Sequence, residues 1–305
     1  VLGHESLGRV VEVGPGVEDM PLDQLVVVTI RRPGTSAYDH IGRPDLSTDP
    51  VFIETGISRA HGFMAEEVVA DARYLVPVPD ELEEVAILTE PLSCITKSLR
   101  QADQVQARLD LWEPRRALVT GVGTIGLLAT LVLRLRGLEV TTFARRRAPQ
   151  PNAELVQRLG ARYVSAADQG LAVMAEREGA FDIVFEGSGA AELVEPAVAA
   201  LAPNGVLALF SVTPGERRMP VDVAALNQAV VLYNRVIVGS AAASWDDYAQ
   251  AVATIGRAEQ DPATRGWLRE LITGRIVGLD TDAIAGHLSG ADGGIKTTVE
   301  IAAGE

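Results

Sequence analysis

The feature that most constrains this 305-residue chain is a glycine-rich turn of six residues: Gly121, Val122, Gly123, Thr124, Ile125 and Gly126. A short apolar run, 117–120, precedes the turn, and a longer apolar run, 126–135, follows it, so the turn is predicted to join a strand to a helix. The first glycine permits a tight turn, the second lets a pyrophosphate approach the backbone, and the third lets helix and strand pack closely. Free N–H groups at the start of the helix attract the anion. The pattern favours a dinucleotide-binding site over a purely structural glycine turn.

From Arg116 onward, short apolar runs alternate with helix-like stretches. Strands are predicted at 117–120, 138–143, 163–164, 181–185, 205–212 and 236–240, and helices at 126–135, 153–159, 171–178, 190–201 and 222–232. This alternation predicts an α/β fold, with a doubly wound parallel sheet and helices on both faces. Ligands of such sheets bind at the carboxyl ends of the strands, where we expect the active site.

The rest of the chain predicts a second, β-rich domain built from both ends of the sequence. Strands are predicted near 10–13, 25–30, 63–70, 74–78 and 295–301, and helices at 81–109, with an interruption near Pro91, and near 245–258 and 264–272. Residues 31–60 are rich in Gly, Pro, Ser and Asp and predict a long loop or lobe. The dinucleotide domain is expected to comprise residues 101–243.

The residues after the second strand of the dinucleotide domain indicate which dinucleotide is bound. NAD-preferring domains place Asp or Glu there to bind the ribose 2′-hydroxyl, but no acidic residue occurs between Val140 and Ala153. The run Arg145-Arg146-Arg147 occurs instead, and guanidinium groups suit a 2′-phosphate. Arg145 and Arg146 therefore predict a preference for NADP, with NAD use possible; the alternative is a solvated basic loop.

Composition excludes several classes of partner and site. The chain has 27 basic and 41 acidic residues, a net charge of −14, so a nucleic-acid partner is not expected. Its one cysteine, Cys94, rules out an internal disulfide and a four-cysteine zinc site. No apolar run is long enough to predict a membrane span and no signal peptide is visible, so a cytoplasmic location is expected. The chain opens at Val1, in what is predicted to be mid-strand, and we expect an N-terminal truncation.

Two polar motifs are ambiguous when taken alone. His4, in Gly3-His4-Glu5, fits a structural histidine, and Glu90, before Pro91, fits a helix N-cap. Together with the glycine-rich turn, these motifs make the chain resemble the medium-chain dehydrogenase/reductase superfamily, and within it the zinc-dependent glucose 1-dehydrogenase branch. Narrower motifs of the sugar branch are Arg43-Pro44-Asp45 and Glu54-Thr55-Gly56, the latter followed by His61-Gly62-Phe63-Met64.

The resemblance implies a GroES-like β-rich catalytic domain, residues 1–100 and 244–305, joined to a Rossmann domain, residues 101–243. It also assigns roles to individual residues. His4, Glu5 and Glu90 are the implied catalytic residues and zinc ligands, with Glu5 either a ligand or a neighbour of one; a further ligand, Cys or Asp, is expected upstream of this sequence. Glu54, Glu90 and Ala242 are the implied substrate-binding positions, although Ala242 and Tyr233 replace an Asn and a His of the family. Further cofactor-binding positions are Phe210, Ser211, Val212, Ser240, Ala241 and Ala242.

A second, structural zinc is common in the superfamily and is not expected here. The resemblance places its four cysteine positions at Pro33, Ser36, Asp39 and Ser47, none of which is a thiol. We therefore expect one catalytic zinc and a lobe held by packing and hydrogen bonds.

The resemblance implies NADP-preferring oxidation of an aldose, glucose or a related sugar, at C1 to the lactone by zinc-assisted hydride transfer. It also implies a homodimer or a homotetramer. Two alternatives stay open: a zinc alcohol or polyol dehydrogenase of other specificity, and a truncated, non-catalytic chain that binds NADP.

Overall fold

The computed structural model describes residues 1–216, 218–289 and 294–301. Contacts divide the chain into two compact units, the first formed by Val1–Cys94 and Ala242–Glu305 and the second by Ile95–Ala241. The domain boundaries expected from the sequence lie after residues 100 and 243, whereas the boundaries in the structure lie after Cys94 and Ala241. The first boundary has no sequence signal because it falls inside one continuous helix, Thr89–Gln106.

The first segment of the first unit contains six short strands: β1 (Gly8–Arg9), β2 (Leu25–Val28), β3 (Arg31–Arg32), β4 (Ile53–Thr55), β5 (Arg59–Ala60) and β6 (Leu75–Pro77). All four residues of β2 are apolar and buried, and this strand is central in the antiparallel sheet β1-β2-β6. The strands β3, β4 and β5 form a second sheet within 31–60, where a loop or lobe was the expectation. The strand predicted at 63–70 is wrong, because those residues form no strand.

Two helices belong to this part of the chain, α1 (Ala37–His40) and α2 (Thr89–Gln106), along with short 3₁₀ turns such as Asp80–Leu82 and Ala86–Leu88. The predicted interruption of the long helix at Pro91 is wrong. Pro91 lies in the first turn of α2, where a backbone N–H has no partner within the helix and its loss costs nothing.

The second unit is built on six parallel strands, β7 (Arg116–Thr120), β8 (Glu139–Ala144), β9 (Arg162–Ser165), β10 (Phe181–Glu186), β11 (Leu201–Leu209) and β12 (Val236–Gly239). The strand order is β12-β11-β10-β7-β8-β9, and the order reverses between β7 and β10, where Rossmann sheets bind dinucleotides. The intervening helices are α3 (Thr124–Leu135), α4 (Pro151–Arg158), α5 (Leu171–Glu178), α6 (Val194–Ala199) and α7 (Val223–Leu232). The predicted doubly wound α/β fold is confirmed.

The first unit resumes with α8 (Trp245–Gln260), β13 (Ile272–Val277), α9 (Thr281–Leu288) and β14 (Lys296–Glu300). Helix α8 buries Tyr248, Ala251 and Ile255 and packs against β6. Where a helix is predicted at 264–272, the structure has a 3₁₀ turn, Leu268–Leu271, and then the strand β13. Within the described residues, no helix is both long enough and apolar enough to cross a bilayer.

The lobe contains the four positions at which the resemblance implies structural-zinc cysteines in relatives. Three of them form a hydrogen-bonded cluster here: the hydroxyls of Ser36 and Ser47 donate to Oδ2 of Asp39 at 2.6 and 2.7 Å, and the Ser36 N–H donates to it at 2.9 Å. Asp39 is buried, and these donors hold the pKa of its carboxyl well below the usual range. Hydrogen bonds to one ionised carboxylate therefore connect these parts of the lobe.

The substitution Asp39→Asn is expected to lower the melting temperature at pH 7, because a neutral amide accepts these three hydrogen bonds more weakly. A carboxyl with a depressed folded-state pKa stabilises the fold above its unfolded pKa of about 4, and this contribution is lost as the pH falls. The difference between variant and wild type should therefore narrow below about pH 4. Thermal unfolding between pH 7 and pH 3 measures it, with Asp19→Asn, at an exposed position, as the matched charge control. Equal melting temperatures at pH 7 would contradict this role for Asp39.

Candidate active site and dinucleotide-binding turn

An imidazole and two carboxylates meet in the first unit. Ligand atoms of His4, Glu5 and Glu90 all lie within 4.8 Å of one another, and all three side chains are half-buried. His4 and Glu5 come from an extended segment before β1, and Glu90 comes from the first turn of α2. The fold thus brings together residues that are more than 80 positions apart in the sequence.

A close backbone approach positions His4. The N–H of Gly62 donates to the Val1 carbonyl, and the N–H of Phe63 donates to the Gly3 carbonyl, both at 2.8 Å. A Cβ atom on Gly62 would overlap the carbonyl oxygens of Leu2 and Gly3. Only glycine lets the two backbones lie this close, which explains the position of Gly62 opposite the Gly3-His4-Glu5 motif.

Three further charged side chains, Lys296, Arg31 and Glu54, pair with or act on the carboxylates of this cluster, and they leave Glu90 without a cationic partner among the described residues. The Lys296 ammonium is ion-paired with Glu5, and Arg31 is ion-paired with Glu54 at 2.9 Å. Glu90 has no ion pair with a described residue, and the one described donor to its carboxylate is the Cys94 thiol at 3.7 Å. Loss of hydration, followed by repulsion from Glu5, raises the pKa of Glu90 to about 8, against the attraction of Lys296. The repulsion from Glu54 acts in the same direction and is the weakest of these effects.

The donor set fits a zinc ion. Imidazole nitrogen and carboxylate oxygen are both ligands of zinc in proteins. A carboxyl whose pKa is raised by burial and by a neighbouring carboxylate is in a place where a divalent cation would stabilise its ionised form. His4, Glu5 and Glu90 are therefore the described residues best placed to hold the metal.

In the second unit, the glycine-rich turn connects β7 to α3. The Gly121 N–H donates to the Phe143 carbonyl at 2.8 Å, and the Asn152 amide donates to the Val122 carbonyl at 2.6 Å. A Cβ atom on Gly126 would overlap the Gly121 carbonyl oxygen, whereas one on Gly123 would meet nothing within 4 Å. Gly126 is therefore needed for packing, while the exposed Gly123 leaves the N-terminus of α3 open to an anion.

The three arginines of the predicted 2′-phosphate site follow β8 and are exposed. Their backbone is held from β9, because the Tyr163 hydroxyl donates to the Arg146 carbonyl at 2.5 Å and the Ser165 hydroxyl donates to the Arg145 carbonyl at 3.2 Å. Arg147 is ion-paired with Asp168 at 2.6 Å. Arg145 and Arg146 form no ion pair with a described residue, so their guanidinium groups remain available to a ligand.

The remaining predicted cofactor positions lie beyond the carboxyl ends of two strands. Phe210, Ser211 and Val212 follow β11, and Ser240 and Ala241 follow β12. Phe210 stacks on Phe185 with 5.4 Å between the ring centroids. Ala242 has a left-handed backbone, with φ of 54°, and begins the second segment of the first unit.

Sequence reasoning gave no role to several residues that hold these sites. The buried Lys97 donates to the Ala241 carbonyl at 2.9 Å, and the buried Glu186, at the end of β10, accepts from the N–H groups of Ser188 and Gly189 at 2.9 and 3.1 Å. Arg31 and Lys296 received no role from the sequence either. Arg31 lies directly opposite Glu54 in the antiparallel pair of β3 and β4. A prediction that these two strands pair would therefore have indicated the contact between Arg31 and Glu54.

Two family models match the chain. The model for the glucose dehydrogenase C-terminus matches residues 83–301, and the model for the alcohol dehydrogenase GroES-like domain matches residues 1–80. The second match confirms the GroES-like character predicted for the first unit.

Similar proteins were found in both sequence and structure. Glucose 1-dehydrogenase 2 of Vulcanisaeta moutnovskia is 41% identical over 280 residues, which cover 90% of this chain and 75% of that protein. A glucose 1-dehydrogenase of Methanocella arvoryzae is 35% identical over 99% of this chain and 83% of its own length. The solved structure of Haloferax mediterranei glucose dehydrogenase in complex with NADP, Zn and gluconolactone matches with a TM-score of 0.89 and 31% identity, covering 99% of this chain and 83% of that one.

Zinc binding to the apoprotein at pH 7 is expected to release the proton held by Glu90. Its pKa of about 8 keeps the carboxyl largely protonated at pH 7, whereas ligation requires the ionised form. The Glu90→Gln variant has no carboxyl proton at this position, so it should release fewer protons per zinc bound than the wild type. Well above pH 8 the wild-type carboxyl is already ionised, and the two proteins should release the same number of protons. Titration with a pH indicator, or calorimetry in buffers of different ionisation enthalpy, measures the number of protons released. Glu54→Gln is the control, because this variant keeps Glu90 and should still release its proton. Equal release from wild type and Glu90→Gln at pH 7 would contradict the assignment.

Proposed function

The chain belongs to the zinc-dependent glucose dehydrogenase branch of the medium-chain dehydrogenase/reductase superfamily, and on this premise we propose that it oxidises an aldose, glucose or a close relative, at C1 with NADP as the preferred hydride acceptor. The observation that carries the proposal is the cluster of His4, Glu5 and Glu90, with Glu54 adding to the repulsion on Glu90. The ligands named for the Haloferax mediterranei enzyme, NADP, Zn and gluconolactone, support the same reaction.

His4, Glu90 and Glu5 would hold a single zinc ion, which when bound supplies Lewis-acid polarisation of the substrate C1 oxygen. His4 would offer a neutral imidazole nitrogen, and Glu90 would give up its proton to become a ligand. Lys296 holds the Glu5 carboxylate from the other side, which limits how far Glu5 can move toward the metal.

The reaction we propose is balanced without a further reactant. The C1–H bond breaks and its electron pair goes with the hydrogen, as hydride, to C4 of the nicotinamide, while the C1 hydroxyl loses its proton to solvent. A C1 carbonyl forms, which makes the product the lactone of the sugar. Glu54 would accept hydrogen bonds from sugar hydroxyls and so fix the position of C1 relative to the hydride acceptor.

The second unit would bind the dinucleotide. The turn from Gly121 to Gly126 and the N-terminus of α3 would bind the pyrophosphate. Arg145 and Arg146 would bind the 2′-phosphate of NADP, and weaker use of NAD would remain possible. The residues after β11 and β12 would line the rest of the cofactor.

A zinc alcohol or polyol dehydrogenase of other specificity is the second candidate, and one observation favours it. Ala242, at the position of a sugar-contacting Asn in the resembling enzymes, carries a methyl group that makes no hydrogen bond. The fold and the family do not by themselves determine which sugar, polyol or alcohol is the substrate.

A panel of aldoses, polyols and simple alcohols, each tested with NADP and NAD on the zinc-loaded protein, decides between these activities. The highest kcat/KM is expected for an aldose with NADP. A polyol or alcohol as the best substrate would favour the second candidate. Binding of NADP without turnover of any compound, and without stoichiometric zinc, would favour a non-catalytic NADP-binding chain.

We also propose that the chain forms a homodimer, or a homotetramer built from dimers. The helix α7 is apolar but has no buried residue, and Val223, Val231 and Leu232 on it are exposed. The strand β12 is at the edge of its sheet and exposes Ile237. An exposed apolar helix beside an open sheet edge suits association with a second copy of the same surface.

Replacing both Arg145 and Arg146 by Ala is expected to raise KM for NADP about ten- to a hundred-fold for each lost charge-assisted bond of about 1.5–3 kcal/mol, and to leave KM for NAD nearly unchanged. The reason is that NAD has no 2′-phosphate for these guanidinium groups to bind. Initial-rate kinetics with both cofactors measure the effect. Arg147→Ala is the control, because Arg147 already pairs with Asp168. A double variant that keeps its NADP preference would show that this run is only a solvated loop.

A further inference from the structure

The pair formed by Arg31 and Glu54 crosses between two strands of the lobe. Arg31 of β3 and Glu54 of β4 are register partners in the antiparallel pair, so their side chains lie on the same face of the sheet. Arg31 is buried, with 7% of its side chain exposed, and Glu54 retains 19%. The arginine is therefore behind the carboxylate, and the carboxylate is the part of the pair that solvent reaches.

Arg31 contacts the two oxygens of the Glu54 carboxylate unequally. Its Nε donates to Oε1 at 3.0 Å, and its Nη2 lies 2.9 Å from the same oxygen. Among the described residues, no donor reaches Oε2. One oxygen thus accepts a hydrogen bond from Nε and lies in ion-pair contact with Nη2, while the other keeps both lone pairs available to a ligand.

Other contacts fix the orientation of the guanidinium group itself. Its carbon lies 4.0 Å from the centroid of the Phe52 ring, and its Nη1 lies 3.5 Å from the Pro44 carbonyl oxygen. A planar guanidinium stacked on a ring and held at its edge has little rotational freedom. The orientation of Glu54 is therefore set by a group that is itself immobilised.

We propose that Arg31 is the positioning residue that aims Oε2 of Glu54 at one hydroxyl group of the substrate and thereby makes the enzyme discriminate against substrates that lack this hydroxyl. The proposal rests on the proposed function, in which Glu54 binds the sugar. A site built to bond a particular hydroxyl rejects an analogue without it, because its own polar group is then left unpaired. Without Arg31, the carboxylate would rotate and would accept from whichever donor is near.

The neighbouring Arg32 provides a matched control. Arg32 also stacks on an aromatic ring, with 4.1 Å to the centroid of Tyr74, and it donates to the Thr29 carbonyl at 2.6 Å. No contact with Glu54 is formed by Arg32 among the described residues. Arg32→Met thus removes the same charge and a similar stacking contact from the same strand without touching the carboxylate.

The experiment measures kcat and KM for the best sugar of the panel and for its monodeoxy derivatives. The variants are Arg31→Met, Arg31→Lys, Arg32→Met, Glu54→Gln and the double variant Arg31→Met/Glu54→Gln. Zinc content and NADP affinity are measured for each variant to show that the fold is intact. Arg31→Lys keeps the positive charge but has neither the planar fork nor the same stacking surface, so it separates charge from orientation if Arg31→Met folds poorly.

We expect Arg31→Met to raise KM for the parent sugar about 10- to 100-fold and to change kcat less, which corresponds to the loss of one well-placed charge-assisted hydrogen bond. The ratio of KM values between the critical deoxy sugar and its parent should fall toward one. Arg31→Lys should be intermediate, and Arg32→Met should resemble the wild type. The double variant should be no worse than Glu54→Gln alone, because Arg31 acts only through Glu54.

Additive losses in the double variant, or unchanged discrimination between parent and deoxy sugar in Arg31→Met, would overturn the role of Arg31 and leave the proposed function standing. A wild type that oxidises polyols but no aldose would overturn the proposed function, and the same variants would then test Arg31 with the polyol and its deoxy derivative. A wild type that oxidises no hydroxyl compound would overturn both.

Discussion

Two carboxylates, Glu5 and Glu90, lie beside the His4 imidazole in the first unit, and Glu54 adds to the repulsion that Glu90 experiences. Lys296 pairs with Glu5, Arg31 pairs with Glu54, and the carboxylate of Glu90 has a thiol as its only donor among the described residues. Loss of hydration and repulsion from Glu5 raise the pKa of Glu90, so a divalent cation bound there would stabilise its ionised form. The ion pairs also distinguish the proposed roles of the carboxylates. Arg31 orients Glu54 for binding a substrate hydroxyl, whereas Glu90, which has no ion pair with a described residue, is the proposed zinc ligand.

The rest of the first unit supplies these partners from distant parts of the chain. Strand β14 carries Lys296 to Glu5, and the lobe sheet carries Arg31 to Glu54. The chain contains only two lysines, Lys97 and Lys296, and each contacts a predicted site residue, since Lys97 holds the Ala241 carbonyl. In the lobe, the hydrogen bonds to the Asp39 carboxylate join Ser36, Asp39 and Ser47, three of the positions at which the resemblance implies cysteines.

The candidate residues for metal and substrate and those for the cofactor lie mostly in different units. The first holds the candidate metal and substrate residues, and the second holds the glycine-rich turn and the arginines after β8. The confirmed family and fold limit the reaction to hydride transfer with a nicotinamide cofactor, but they leave the substrate to particular side chains. Ala242 is the clearest of these, because it departs from the residue that the family resemblance implies. The assignments of His4, Glu5, Glu54 and Glu90 stay predictions.

The sequence by itself determined those features that depend on local patterns. Alternating apolar runs and the turn from Gly121 to Gly126 were enough to predict the α/β class and the parallel sheet, because strand and helix periodicity are properties of neighbouring residues. The same patterns failed for β13, whose alternating exposure includes Gly274 and Arg275, and for the strand expected at 63–70, where Gly62 and Phe63 instead bind the backbone before His4. Only the tertiary structure decided which cation faces which carboxylate, and hence the raised pKa of Glu90 and the single free oxygen of Glu54. Those properties arise from contacts such as Glu5 with Lys296, almost the whole chain apart, and no local pattern encodes a contact over that separation.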